Sequence, residues 1–121
     1  HFKRINDNMG HATGDVAIKG LAQIAIANSR QTDAVARFGG EEFVILLPHS
    51  DRAAVDHFAR KLRSLIELAN FEHEGHRFRL TASIGCAMLE AGDASIETTI
   101  DRADRGLYEA KKSGRNRVCW G

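Results

Sequence analysis

No run of apolar residues in this 121-residue chain approaches the roughly 18 needed to cross a bilayer as a helix, and no signal-peptide pattern opens it. Charge of one sign is missing as well. Seventeen Lys plus Arg against sixteen Asp plus Glu leave a formal +1, which argues against a domain whose main task is nonspecific binding to a nucleic-acid polymer. Cysteine is scarce: Cys86 and Cys119 fit no CxxC or metal spacing and are expected as reduced, half-buried thiols, suited to a cytoplasmic location. The six histidines (His1, His11, His49, His57, His73 and His76) form no HExxH or Cys/His cluster, so zinc is not expected. What is present is ordinary for a globular protein, with 43% hydrophobic and 27% charged residues. A chain this long buries roughly two-thirds of its unfolded surface, enough for one core. It opens at His1 without a Met and already carries pattern at Phe2, so it reads as a piece of a longer polypeptide.

Apolar positions at helical spacing (Val16, Ile18, Leu21, Ile24, Ala25) predict a helix over residues 12–29, slightly weakened by Gly20. Two strand-like runs follow, 34–38 and 43–47, separated by Gly39-Gly40-Glu41-Glu42 as in a hairpin and closed by Pro48. Ser50 is the expected N-cap of a helix from Asp51 to Leu68, and the polar stretch from Asn70 to His76 is expected to be a connection. Alternation from Arg77 to Met88 predicts one long strand with a half-buried face. Ser95 is the expected cap of a last helix built on Ile96, Ile100, Ala103, Leu107 and Ala110, ending at Ser113-Gly114 before a short strand over residues 117–120. The order α, β, β, α, β, α, β is that of an α+β domain in which helices cover a sheet.

Four places hold residues able to do chemistry, each with an ordinary structural reading beside the functional one. Glu41 and Glu42 at a glycine turn are hard oxygen donors for a divalent cation, or merely solvated acids. Asn6 and Asp15, with Asp7 and His11 nearby, could read the donor and acceptor edge of a guanine, or serve turns and caps. Lys111 and Arg115, with Lys112 and Arg117, either complement a helix C-terminus or neutralise a triphosphate. Arg30 and Asp33 are an ion pair of little weight unless a ligand uses them.

In this order and register the blocks are more specific than any one of them. Phe2-Lys3-Arg4-Ile5-Asn6-Asp7, Gly10-His11 with Gly14-Asp15, Arg37-Phe38-Gly39-Gly40-Glu41-Glu42-Phe43, Thr81-Ala82-Ser83-Ile84-Gly85, and Ala103-Asp104 through Leu107-Tyr108-Glu109-Ala110-Lys111 to Gly114-Arg115-Asn116 resemble the GGDEF domain of diguanylate cyclases, in its GGEEF form, over nearly the whole chain.

The resemblance implies a palm-like fold, of the ferredoxin-like and adenylyl-cyclase type, with a central antiparallel sheet flanked by helices, spanning residues 1–121 as one domain. It implies condensation of two GTP into cyclic di-GMP with release of pyrophosphate, by attack of a ribose 3′-hydroxyl on an α-phosphate assisted by Mg2+ or Mn2+. Glu41 would bind the metal and help take the proton, Glu42 would be the second carboxylate, and Lys3 would stabilise transition-state charge. Asn6 and Asp15 would recognise guanine with His11 close by, the backbone at Phe2 and Lys3 would meet the terminal phosphates, and Lys111 and Arg115 would grip the β- and γ-phosphates. Arg30 and Asp33 match the RxxD inhibitory site for cyclic di-GMP. Two GTP sites facing across a two-fold axis imply a homodimer, with no membrane segment in this chain. The family also has a metal-binding Asp two residues before His1, on a strand this chain lacks, so the chain alone is expected to be impaired and its parent active. The competing expectation is an inactive receptor module for cyclic di-GMP or GTP.

Overall fold

The computed structural model describes residues 11–37, 42–73 and 75–121, without the side chains of residues 11–15, 37, 73 and 76. Among the described residues nine elements run in the order α1 (His11–Ala27), β1 (Ala34–Arg37), β2 (Phe43–Leu46), α2 (Arg52–Leu68), β3 (Phe71–His73), β4 (His76–Phe78), β5 (Ile84–Cys86), α3 (Ile96–Lys112) and β6 (Val118–Trp120). Their strands form three two-stranded ladders, β1–β2 and β3–β4 antiparallel and β5–β6 parallel. The chain divides into two compact units, residues 1–49 with 65–80, and residues 50–64 with 81–121.

In the first unit α1 buries Ala17, Ile18 and Ala25. It stops at Ala27, two residues short of the predicted end, because side chains intercept its last carbonyls. Asn28 Nδ2 donates to the Ile24 carbonyl (2.8 Å) and Ser29 Oγ to that of Ala25 (2.6 Å). Gly20 has a packing reason: the Phe71 ring lies where a Cβ would be. The predicted β1–β2 hairpin is present, in the register Ala34↔Leu46 to Arg37↔Phe43.

Two expectations for the next stretch are corrected. Residues 70–76 are not a plain connection, because β3 and β4 pair there as a hairpin turning at Gly75 (φ 81°), with Phe71 stacked on Phe78 at 5.6 Å between centroids. The long strand from Arg77 to Met88 is two short ones, because its two ends pair with different partners, β3 and β6. Residues 79–83 between them join no ladder, and Thr81 Oγ1 is buried with no hydrogen-bond partner among the described residues.

In the second unit the cap of α2 is Asp51 rather than Ser50: its carboxylate accepts from the Ala54 N–H (2.8 Å) and its carbonyl from Val55 (3.0 Å). The core is Ala59, Cys86 and Val118, with Val55, Ile84 and Trp120 against it. Both cysteines are free, Cys86 buried and Cys119 half-buried, and burial, followed by the charge of Asp56, pushes the Cys86 thiol up to about 11. Trp120 is fixed at the start of α2, donating through Nε1 to Asp56 (2.9 Å) with the Arg52 guanidinium 4.0 Å over its ring.

Helix α3 meets the β5–β6 ladder backbone to backbone. A Cβ on Gly85 would overlap the Ala103 carbonyl and the Leu107 amide, and one on Gly106 would lie 2.6 Å from the Cys119 carbonyl oxygen. Ser95 stands at the N-cap as predicted but its side chain makes no cap bond. The N-terminal side of α3 is instead tied down by Asp93, whose side chain is only 3% exposed. It pairs with Arg102, accepts from Thr99 Oγ1 (2.7 Å) and from the Glu90 N–H (2.9 Å), while Arg102 also donates to the Met88 carbonyl (2.8 Å).

Two outcomes follow from this packing. Gly85→Ala should destabilise the protein by about 2–4 kcal/mol, read from urea unfolding, since a helix backbone cannot yield to a methyl group as a flexible side chain does. The hydrogen bond from Arg102, helped by those from Glu90 and Thr99, holds the Asp93 carboxyl at about 2 instead of 3.8. A depressed pKa stabilises the fold above the unfolded value, and that contribution is lost as pH falls from about 4 to about 2. Asp93→Asn should therefore lower Tm at neutral pH and reduce the steepness of the fall across that window.

Candidate functional site

Helix α3 ends in a turn of unusual backbone. Gly114, Arg115 and Asn116 have φ values of 122°, 65° and 47° in succession. The Arg115 N–H donates back to the Ala110 carbonyl at 2.8 Å, the six-to-one bond of a Schellman helix end, in which glycine supplies the left-handed residue. For Arg115 the same region is strained, at a cost of about 1–2 kcal/mol, and asparagine as a residue type tolerates it better. The turn is held from both sides: Arg117 Nε donates to the Arg115 carbonyl (3.0 Å) and Arg63 Nη1, from α2, to Asn116 Oδ1 (2.9 Å).

This turn displays cations. Lys111 is half-buried in the last turn of α3, beside exposed Lys112, and Arg115 and Arg117 are exposed. Lysines there offset the partial negative charge of the helix C-terminus, which would otherwise repel an anion. The expected pair Lys111 and Arg115 is thus brought together on one short stretch.

In the first unit Asp33 organises the loop between α1 and β1. Its carboxylate accepts from the Arg30 N–H (2.8 Å), Nε (3.4 Å) and Nη2 (3.1 Å), while Arg30 Nη2 also donates to the Pro48 carbonyl (3.0 Å). The Asp33 side chain is 2% exposed and that of Arg30 56%, so the acid is a buried anchor and the guanidinium faces water. Burial pulls the Asp33 carboxyl upward, but the Arg30 N–H, side-chain bond and charge outweigh it and leave the value lowered. Glu42 is exposed immediately before β2.

His11 opens α1 and Asp15 lies one turn on, with side chains outside the described residues. Phe2, Lys3, Asn6 and Glu41 also lie outside them. Among the described residues no three His, Cys, Asp or Glu are grouped to hold a metal ion. Sequence reasoning missed Arg63 as a partner of the turn after α3. Only Asn116, a residue at ease in left-handed backbone directly after Gly114-Arg115, hinted that something must hold it.

The arrangement at the end of α3 and the Gly39–Phe43 segment can be set beside known proteins. The description "Diguanylate cyclase, GGDEF domain" matches residues 1–117. The chain belongs to the GGDEF family. It is 38% identical over 117 residues to diguanylate cyclase A of Treponema denticola, covering 97% of this chain and 32% of that protein. It is 42% identical over 118 residues to diguanylate cyclase DgcP of Pseudomonas aeruginosa, covering 98% and 17% respectively. The chain therefore spans a third or less of the length of these relatives. Among solved structures, it resembles the GGDEF domain of DgcB from Caulobacter crescentus in complex with c-di-GMP, with TM-score 0.93 and 32% identity over 99% of this chain and 71% of that one. It also resembles the active GGEEF domain of a Vibrio cholerae diguanylate cyclase, with TM-score 0.83 and 32% identity over 99% and 76%. These likenesses bear out the α+β, palm-like class expected of the GGDEF family. No helix among the described residues is long and apolar enough to cross a membrane.

If Asp33 anchors its loop as the geometry shows, Asp33→Ala should lower Tm by about 2–5 °C in calorimetry. The same variant should leave the Arg30 guanidinium without its orienting carboxylate.

Proposed function

We propose that the protein is a diguanylate cyclase condensing two GTP molecules into cyclic di-GMP with release of two pyrophosphates, residues 1–121 acting as its GGDEF domain. The observation that carries the reading is the exposed Glu42 carboxylate at the start of β2, within an unbroken Gly39-Gly40-Glu41-Glu42-Phe43 signature. The cation-bearing end of α3 and the likeness to a GGDEF domain in complex with c-di-GMP support it.

In this reading Lys111 and Arg115 hold the β- and γ-phosphates, and the backbone at Phe2 and Lys3 completes the grip. Asn6 and Asp15 select guanine, because a carboxylate accepts from its N1–H and N2 amino group where adenine has neither. His11 lies against the nucleoside, and Lys3 neutralises charge that grows at the α-phosphate. Adjacent carboxylates are the hard oxygen donors that Mg2+ or Mn2+ takes, so Glu41, with Glu42 beside it, fits that cofactor. When bound, the metal polarises the phosphate and lowers the pKa of the attacking 3′-hydroxyl. Glu41 helps to take that hydroxyl's proton. Both 3′-hydroxyls must attack, so two copies of the chain face each other as a homodimer in the cytoplasm.

Arg30 and Asp33 form the inhibitory site for the product. Its support is the division of labour already described, in which the buried acid orients an arginine whose side chain is 56% exposed, a donor type suited to phosphate or guanine oxygens.

The intact protein incubated with GTP and Mg2+ should yield cyclic di-GMP on chromatography. Glu42→Gln should reduce the rate by about a hundredfold or more, and Arg30→Ala should relieve inhibition by added product. Tight cyclic di-GMP binding without any turnover would establish a receptor in place of an enzyme.

A further inference from the structure

The strained turn after α3 is held by a residue from a distant part of the chain. Arg63, half-buried on α2, donates from Nη1 to Asn116 Oδ1 at 2.9 Å and from Nη2 to Ser64 Oγ at 2.9 Å. The second bond orients the guanidinium plane, so the first is directional rather than a loose charge contact. Asn116 has φ 47° and follows Arg115 at φ 65°. An arginine in left-handed backbone persists only where its surroundings over-determine it. Here the Arg115 N–H and carbonyl are held by Ala110 and Arg117, both near in sequence, and beyond them the Ile84 N–H donates to the Arg117 carbonyl at 3.0 Å. Arg63 adds the tie from another element, across a sequence separation of 53 residues.

We propose that Arg63 is a positioning residue for the nucleotide's terminal phosphates: through Asn116 it keeps Arg115 in the left-handed conformation that sets where its guanidinium stands. This rests on the reading of Arg115 as a phosphate ligand given above. A purely structural Arg63 would stabilise the fold and affect all ligands alike. A positioning Arg63 affects only ligands that reach Arg115, that is, those carrying β- and γ-phosphates.

The test uses Arg63→Met, which keeps an aliphatic stem without the donor, and Asn116→Gly, which keeps the left-handed backbone without the acceptor. In the intact protein, each should weaken GTP binding about tenfold by calorimetry and raise KM by a similar factor with little change in kcat. Binding of GMP, which lacks the terminal phosphates, should be unchanged. The double variant should be no worse than either single one, since both remove the same bond, and Arg63→Lys should recover part of the loss. Equal weakening of GTP and GMP in step with a lower Tm, additive losses in the double variant, or undiminished GTP binding would each overturn the proposal. Failure of the wild-type protein to make cyclic di-GMP would count against the enzyme reading alone, because the comparison of GTP with GMP binding decides the role of Arg63 without turnover.

Discussion

The second unit depends on the closeness with which α3 lies on the parallel β5–β6 pair. Side chains normally hold a helix well away from a sheet, at around 10 Å between centres. At Gly85 and Gly106 there is none, and carbonyl and amide atoms of helix and strand come into direct contact. A side chain at either position would meet backbone of the facing element, so the glycines permit this close approach. Asp93 and Arg102 reinforce it at the other end by fastening the entering loop to the first turns of the helix.

A helix seated this firmly delivers its C-terminus, with the cations it bears, to one place. A helix C-terminus is an unfavourable neighbour for an anion, since its free carbonyls carry partial negative charge. Lys111 and Lys112 in the last turn reverse that local sign, and the Schellman bond from Arg115 to Ala110 turns the chain back so that another cation follows at once. The turn at Arg115 and Asn116 is held from three directions: Arg115 by its own helix and by Arg117, and Asn116 by Arg63. The first unit reaches a similar end by opposite means. There a buried acid, Asp33, spends its hydrogen bonds on the backbone and side chain of Arg30 and leaves the guanidinium facing water.

Features governed by near neighbours in the chain were legible from residue order. The periodicity of Ile100, Ala103, Leu107 and Ala110 marked α3, Gly114 marked its stop, and the two strand-like runs marked the pairing of β1 with β2. Even local rules erred where two polar residues competed, as when Asp51 rather than Ser50 took the N-cap of α2. Alternation from Arg77 to Met88 misled for a different reason. It reports which side chains face a core, and says nothing about whether one neighbouring strand runs the whole length. The hairpin of β3 and β4 was hidden by its polar composition, although Phe71 and Phe78 stand on either side of Gly75 in the sequence.

Sequence alone therefore determined the family, the three helices among the described residues, the pairing of β1 with β2 and the chemical types at each candidate position, because motif order, capping and periodicity act over a few residues. Tertiary structure decided the rest. It chose strand partners, gave Gly85 and Gly106 their steric meaning, buried Asp33 while exposing Arg30, and joined Arg63 to Asn116. The β5–β6 pairing, the approach of α3 to it and the Arg63–Asn116 bond each depend on two segments far apart in the chain meeting in space, where burial sets the strength of a hydrogen bond or charge, and no local pattern encodes that meeting.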